Sequence, residues 1–189
     1  MSASLVGSEM CIRDRMYTGY AAFDGPFVIR YPRGKGEMKD WRNEMQVLPI
    51  GKGKKLCDGD DIAVLSIGPI GNEVIKAIEM VKEEGVSIAH YDMIYLKPLD
   101  EELLHEIGQK YNRIITVENG VIKGGFGSAV LEFMADNGYT PHVKRIGVPD
   151  AFIEHGSIPE LYQLCGMDAE SIAKQLKNCL LYTSPSPRD

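Results

Sequence analysis

Three cations, a proline and two glycines crowd one short stretch, Arg30-Tyr-Pro-Arg-Gly-Lys-Gly36. The apolar run at residues 27–30 leads into it and reads as a strand. The proline and glycines then shape a loop. Arginine's planar guanidinium suits bidentate recognition of phosphate. Arg33, with Arg30 and Lys35 beside it, therefore marks a candidate phosphate or carboxylate site. The competing reading is a solvated basic loop that pairs with acidic neighbours.

A second stretch, residues 117–128, reads as strand, glycine-rich loop and helix (VENGVIKGGFGS). Backbone N–H groups at such a helix N-terminus can hold an anion. The dinucleotide fingerprint fails, because Val130 stands where its third glycine is needed, and no phosphate-loop Lys-Ser/Thr ending follows. Close strand-to-helix packing is the better account of Gly124, Gly125 and Gly127. Glu118 ends the predicted strand, where sites in open α/β sheets gather. Asp150, Glu154 and His155 could do acid–base work, but adjacent residues on an extended chain point apart. They read as structural or interface residues. So do the isolated His90, His105 and His142. No nucleophile beside a base and no metal-ligand spacing stands out.

The elements that must position these residues alternate. Residues 62–67, 87–94, 113–117 and 143–146 read as strands. Residues 72–84, 101–110, 128–136, 158–165 and 168–177 read as helices. Gly85 suits a helix end, and Asp100 can cap the helix at 101. This order predicts an α/β fold in three layers, a mostly parallel sheet with helices on both faces. Residues 16–48 break the pattern and read as the end of another domain plus a linker. Cut from that domain, the strip is expected to be poorly ordered or misdocked in solution.

The net charge of −6, without a basic stripe, argues against nucleic-acid binding. No apolar run approaches the ~20 residues a membrane span needs. Cys57 and Cys165 lie far apart without metal-ligand spacing, which fits a reducing, cytoplasmic setting. Cys11 and Cys179 fall in ends of a different character. One nucleotide string encodes LVGSEMCIRD at residues 5–14, and its complementary strand encodes CLLYTSPSPR at residues 179–188. We therefore expect residues 1–15 and 179–189 to be translated sequencing adaptor, non-native to the protein.

The remainder resembles the C-terminal part of the 1-deoxy-D-xylulose-5-phosphate synthases, a family of transketolase-like thiamine-diphosphate enzymes. The resemblance rests on DGPFVIRYPRGKG (24–36), LPIGKGK (48–54), DIAVLSIG (61–68), LKPLDEELL (96–104), ENGVIKGGFGSAVLEF (118–133) and GVPDAFIEHGS (147–157). It implies that residues 16–48 end a pyrimidine-binding domain and that residues 49–178 form a transketolase C-terminal-like domain. It also implies a cytoplasmic, homodimeric parent using thiamine diphosphate and Mg2+. That parent condenses pyruvate with glyceraldehyde 3-phosphate and releases CO2, toward isoprenoid, thiamine and pyridoxal precursors. In the family, the arginine of Tyr-Pro-Arg-Gly contacts the aldehyde's phosphate, which maps onto Arg33; Arg30 is a weaker candidate. The family's Gly-Asp-Gly…Asn cofactor motif, its catalytic glutamate and its substrate-binding histidines do not occur here. The fragment is thus expected to carry no catalytic, cofactor-binding or metal residue and to be inactive alone. Two alternatives are a piece of a 2-oxoacid dehydrogenase β subunit and a non-catalytic α/β interaction module. The RYPRG loop and the GVPDAFIEHGS segment weigh against the first.

Overall fold

The computed structural model describes residues 9–31, 44–82 and 85–181. Five strands form one sheet in the order β1-β3-β2-β4-β5. β2 (Ile62–Ile67), β3 (Ile88–Asp92), β4 (Arg113–Val121) and β5 (His142–Val148) run parallel to one another. β1 (Lys54–Cys57) pairs antiparallel with β3 at the edge. The helices are α1 (Glu9–Ala21), α2 (Gly71–Lys82), α3 (Glu101–Lys110), α4 (Phe126–Asp136), α5 (Ile158–Leu164) and α6 (Ala169–Leu181).

Strand periodicity sorts the apolar side chains into two cores. Ile62 and Val64 of β2 join Val74, Ala77 and Val81 of α2 and Ile172 and Leu176 of α6. Ala63 and Leu65, one residue out of phase, join Leu104 and Ile107 of α3 and Val130 and Met134 of α4. The expected three-layer α/β fold is the one found. Each fully buried aliphatic side chain contributes at most about 1.5–3 kcal/mol. A one-residue slip of β2 would move each of its own side chains to the wrong core.

Local signals place the helix ends. Asp100 caps α3, its Oδ1 accepting from Leu103 N at 3.2 Å. Gly85 adopts φ +79°, and its N–H donates to the Lys82 carbonyl. Ser157 and Glu160 form a capping box at α5, and Asp168 Oδ2 accepts from Ser171 N at the start of α6.

Several elements depart from expectation. Residues 27–30 carry no regular secondary structure and join no sheet, because no described strand lies beside them to complete a ladder. β1 was not expected: KKLC has one aliphatic residue, too little for an alternation signal, and its lysines sit on a sheet edge, which they protect from further pairing. β4 runs on to Val121 with a register shift after Val117. α4 starts at Phe126 rather than 128. α1 crosses residues 15 and 16, and α6 continues through Cys179, which is buried in the core.

The ends of the strip at residues 16–48 are hydrogen-bonded to each other through α1, and the strip meets the domain at Phe27. Thr18 Oγ1 donates to the Asp14 carbonyl and accepts from Leu48 N at 2.8 Å. Asp14 Oδ1 accepts from Gln46 N at 3.0 Å. The Phe27 ring stands 6.5 Å from that of Tyr95, edge to face. Val28 and Tyr20, by contrast, are exposed.

Candidate functional site

β2 and β4 are neighbours, yet α2 leaves β2 toward one face and α4 leaves β4 toward the other. This divergence opens a crevice at the strands' carboxyl ends, the place where open α/β sheets bind ligands. A cleft of about 1080 Å³ lies there. Residues 26–31 form one wall, and Ile67, Pro69, Glu118, Asn119 and Tyr162 line the rest with mostly apolar neighbours.

Arg30 enters this cleft and places its fork on one residue. Its Nη1 donates to Asn119 Oδ1 at 2.9 Å, and its Nη2 donates to the Asn119 carbonyl at 2.9 Å. Burial pushes the Tyr162 phenol above its ordinary value, against the opposing pull of Asn119 and of the Arg30 charge, which line the same cleft. Arg33 and Lys35 lie outside the described residues, two and four positions beyond Tyr31, where the described wall ends.

Glu118, next to Asn119, is buried and already engaged. Its carboxylate accepts from Phe126 N at 2.9 Å and from Gly127 N at 2.8 Å. The anion-ready end of α4 is therefore filled by the protein's own carboxylate. The glycines make room for it. A Cβ on Gly125 would fall inside 3.0 Å of Glu118 Oε2 and the Val121 carbonyl, and one on Gly127 would crowd Thr116 and Arg145. Close packing, the expectation from sequence, is the role of Gly125 and Gly127; Gly124 does not follow it, having open space where a Cβ would stand and a φ of +68° that suits glycine.

The other candidates stay apart. Asp150 pairs with Lys123 at 3.1 Å, and Glu154 and His155 are exposed. His105 Nδ1 lies 3.0 Å from the Tyr139 hydroxyl. His90 is not isolated: its Nε2 sits 2.8 Å from Ser66 Oγ. Both side chains are sealed in the core, so this pair offers no nucleophile to a substrate. Among the described residues no group of three or more His, Cys, Asp or Glu is placed to hold a metal ion. With the α4 N-terminus occupied, these residues do not fit a diphosphate and its metal either. Cys57, Cys165 and Cys179 are free thiols. No described helix is long and apolar enough to cross a membrane.

Two features were missed from sequence. Asn119 has no signal but its place at a strand's carboxyl end. Ile94, at the cleft mouth, holds φ +53°, costly for a β-branched residue, and its N–H donates to Asp92 Oδ1 at 3.1 Å.

Residues 51–172 match the family model described as transketolase, C-terminal domain. The chain belongs to this family. The transketolase C-terminal domain and its flanks are 95% identical over 170 residues to the 1-deoxy-D-xylulose-5-phosphate synthase of Parabacteroides distasonis, covering 90% of this chain and 27% of that protein. They are 59% identical over 176 residues to the enzyme of the same name from Bacteroides thetaiotaomicron, covering 92% of this chain and 27% of that protein. The chain thus spans 27% of the length of these curated relatives. A solved structure of a split gene transketolase, an inactive beta4 tetramer, superposes with a TM-score of 0.64 at 30% identity, covering 71% of this chain and 43% of that one.

Proposed function

We propose that this chain is the C-terminal part of a 1-deoxy-D-xylulose-5-phosphate synthase, a transferase that condenses pyruvate with glyceraldehyde 3-phosphate and releases CO2. The observation that carries the reading is the 95% identity to the Parabacteroides distasonis enzyme. The parent is a cytoplasmic homodimer serving isoprenoid, thiamine and pyridoxal precursor synthesis. In the parent, thiamine diphosphate and Mg2+ would supply the chemistry of pyruvate decarboxylation. Both belong to segments outside this chain, and the chain alone turns over no substrate.

The fragment's part is to anchor the acceptor aldehyde. Arg33 donates charge-assisted hydrogen bonds to the phosphate of glyceraldehyde 3-phosphate, and a planar fork suits a phosphate's paired oxygens. The neighbouring Arg30, which lines the cleft at the domain's strand ends, supports a substrate site at that cleft.

Two measurements test the reading. Reading the gene through residue 16 from an independent library should continue upstream into a Gly-Asp-Gly…Asn domain. A reading frame that starts at Met1 and lacks that domain overturns the assignment. In the full-length enzyme, Arg33→Ala should raise KM for glyceraldehyde 3-phosphate far more than KM for pyruvate. An unchanged KM for the phosphorylated aldehyde removes Arg33 from the site.

A further inference from the structure

We propose that Asn119-Gly120, on the lining of the cleft, is a deamidation site that Arg30 holds shut. An asparagine followed by glycine is the pair most prone to this reaction, because glycine has no Cβ to hinder its backbone nitrogen. The sequence holds two such pairs, Asn119-Gly120 and Asn137-Gly138. In the reaction the Gly120 nitrogen gives its proton to a solvent base and bonds to Asn119 Cγ. The Cγ–Nδ2 bond breaks, and Nδ2 takes a proton back and leaves as ammonia. Water then opens the cyclic imide to aspartate or isoaspartate. Water is consumed and ammonia released, mole for mole, with no change of oxidation state.

Packing demands the labile pair. A Cβ on Gly120 would come within 2.8 Å of Glu118 Oε2, and that carboxylate is pinned by the Phe126 and Gly127 N–H groups. The sheet does little to restrain it. β4 pairs with β2 as far as Glu118, and its register with β5 lapses between Val117 and Val121. Asn119 and Gly120 fall in that gap, only half-buried and within reach of water. Arg30 supplies the missing restraint. Its Nη1 donates to Asn119 Oδ1 and its Nη2 to the Asn119 carbonyl, each at 2.9 Å. The fork thus holds both oxygens to one side of the strand. Cyclisation needs the opposite arrangement. The peptide must turn about its Cα–C bond until the Gly120 nitrogen faces Cγ, which carries the carbonyl oxygen away from the side chain. The bridge and the ring exclude each other. Once Arg30 lets go the pair can react, and the product sets a carboxylate where the cleft had an amide. The change is a one-way mark of chains whose strip has come away. Asn137-Gly138 is held by bonds local to the end of α4: Asn137 Nδ2 donates to the Phe133 carbonyl, and Gly138 N donates to the Ala135 carbonyl.

The test incubates the whole chain at mildly alkaline pH, digests samples with trypsin and follows the conversion of amide to acid by mass spectrometry. The tryptic peptides 114–123 and 124–144 carry one Asn-Gly pair each, so Asn137 is an internal reference. The same peptides incubated after digestion give the unrestrained rates. In the folded chain Asn119 should convert well below its unrestrained rate. Arg30→Ala should raise its rate about tenfold, the scale of a lost charged hydrogen bond, and leave Asn137 unchanged. Arg30→Lys keeps the charge but has no fork to span two oxygens, and should release Asn119 as well. An Asn119 rate equal in Arg30→Ala and the unsubstituted chain would overturn the inference. So would a folded rate equal to that of the free peptide. Equal rises at Asn119 and Asn137 would mean general loosening rather than release of one clamp, and would also overturn it. Arg30→Lys as slow as the unsubstituted chain would assign the protection to charge alone, against the clamp.

Discussion

Ser66 and His90 face each other from paired strands, Oγ and Nε2 2.8 Å apart, on the core side that packs against α2 and α6. Burial holds the imidazole's pKa at about 4, against 6.5 for an unperturbed histidine. The unfolded chain therefore takes up this proton first as the pH falls. Stability from this group is full above about pH 6.5 and declines as the pH drops toward 4, by roughly 3 kcal/mol in all. Asp92, whose carboxyl burial raises above 3.8, acts in the opposite sense nearer the carboxylate range. Urea midpoints measured from pH 7.5 downward should fall, and His90→Gln should flatten the upper part of that slope. A His90→Gln profile parallel to the parent's would rule the histidine out.

Glu118 supplies the second prediction. Glu118→Ala strips α4 of its N-terminal anion and leaves the buried Phe126 and Gly127 N–H groups unpaired. The expected loss is about 2–4 kcal/mol in unfolding free energy. Glu118→Gln keeps the shape, removes the charge and should cost less. Gly125→Ala should cost as much as Glu118→Ala, since its Cβ meets both the carboxylate and a backbone carbonyl. A Gly125→Ala midpoint within error of the parent's would contradict the packing argument.

Hydrogen exchange resolves the strip before the domain into two parts. The Gln46 and Leu48 amides donate to Asp14 and Thr18 and should exchange slowly. Residues 27–30 have no described strand beside them and should exchange within the dead time of a manual experiment. The amides of β2 and β4, central in the sheet, should be slowest of all. Uniform protection from 16 to 48 would show that the strip is fully docked.

Phe152 is fully exposed, Leu164 mostly so and Ile158 about half so. Large apolar side chains exposed in this way on an isolated domain promote self-association. Sedimentation velocity should show concentration-dependent association that Phe152→Ser reduces. Equal association in the two proteins would place the sticky surface elsewhere.

Much of the frame was legible in advance. The IAVLSI run of β2 and the 3.6-residue spacing of Val74, Ile78 and Val81 in α2 carry their element types in short windows. Asp100 and the Ser157–Glu160 pair announce helix starts through local hydrogen bonding. β1 was illegible because an edge strand of four residues draws its stability from β3, 31 or more residues downstream, and not from its own pattern. The strand expected at residues 27–30 failed for the converse reason: a strand pattern has no ladder without a neighbour.

For the candidate site, sequence by itself determined residue chemistry: a guanidinium-rich loop after an apolar run, a carboxylate at a strand end, and glycines where a helix begins close to a strand. These follow from side-chain type and local backbone preference, which need no distant partner. Tertiary structure alone decided what each group touches. It set Glu118 against the α4 N-terminus, eight and nine residues along the chain, and Arg30 against Asn119, 89 residues away. It also turned a histidine that looks solitary in sequence into the partner of Ser66. A hydrogen bond depends on a distance of about 3 Å and on direction, and only the packing of the sheet and its helices brings such groups that close.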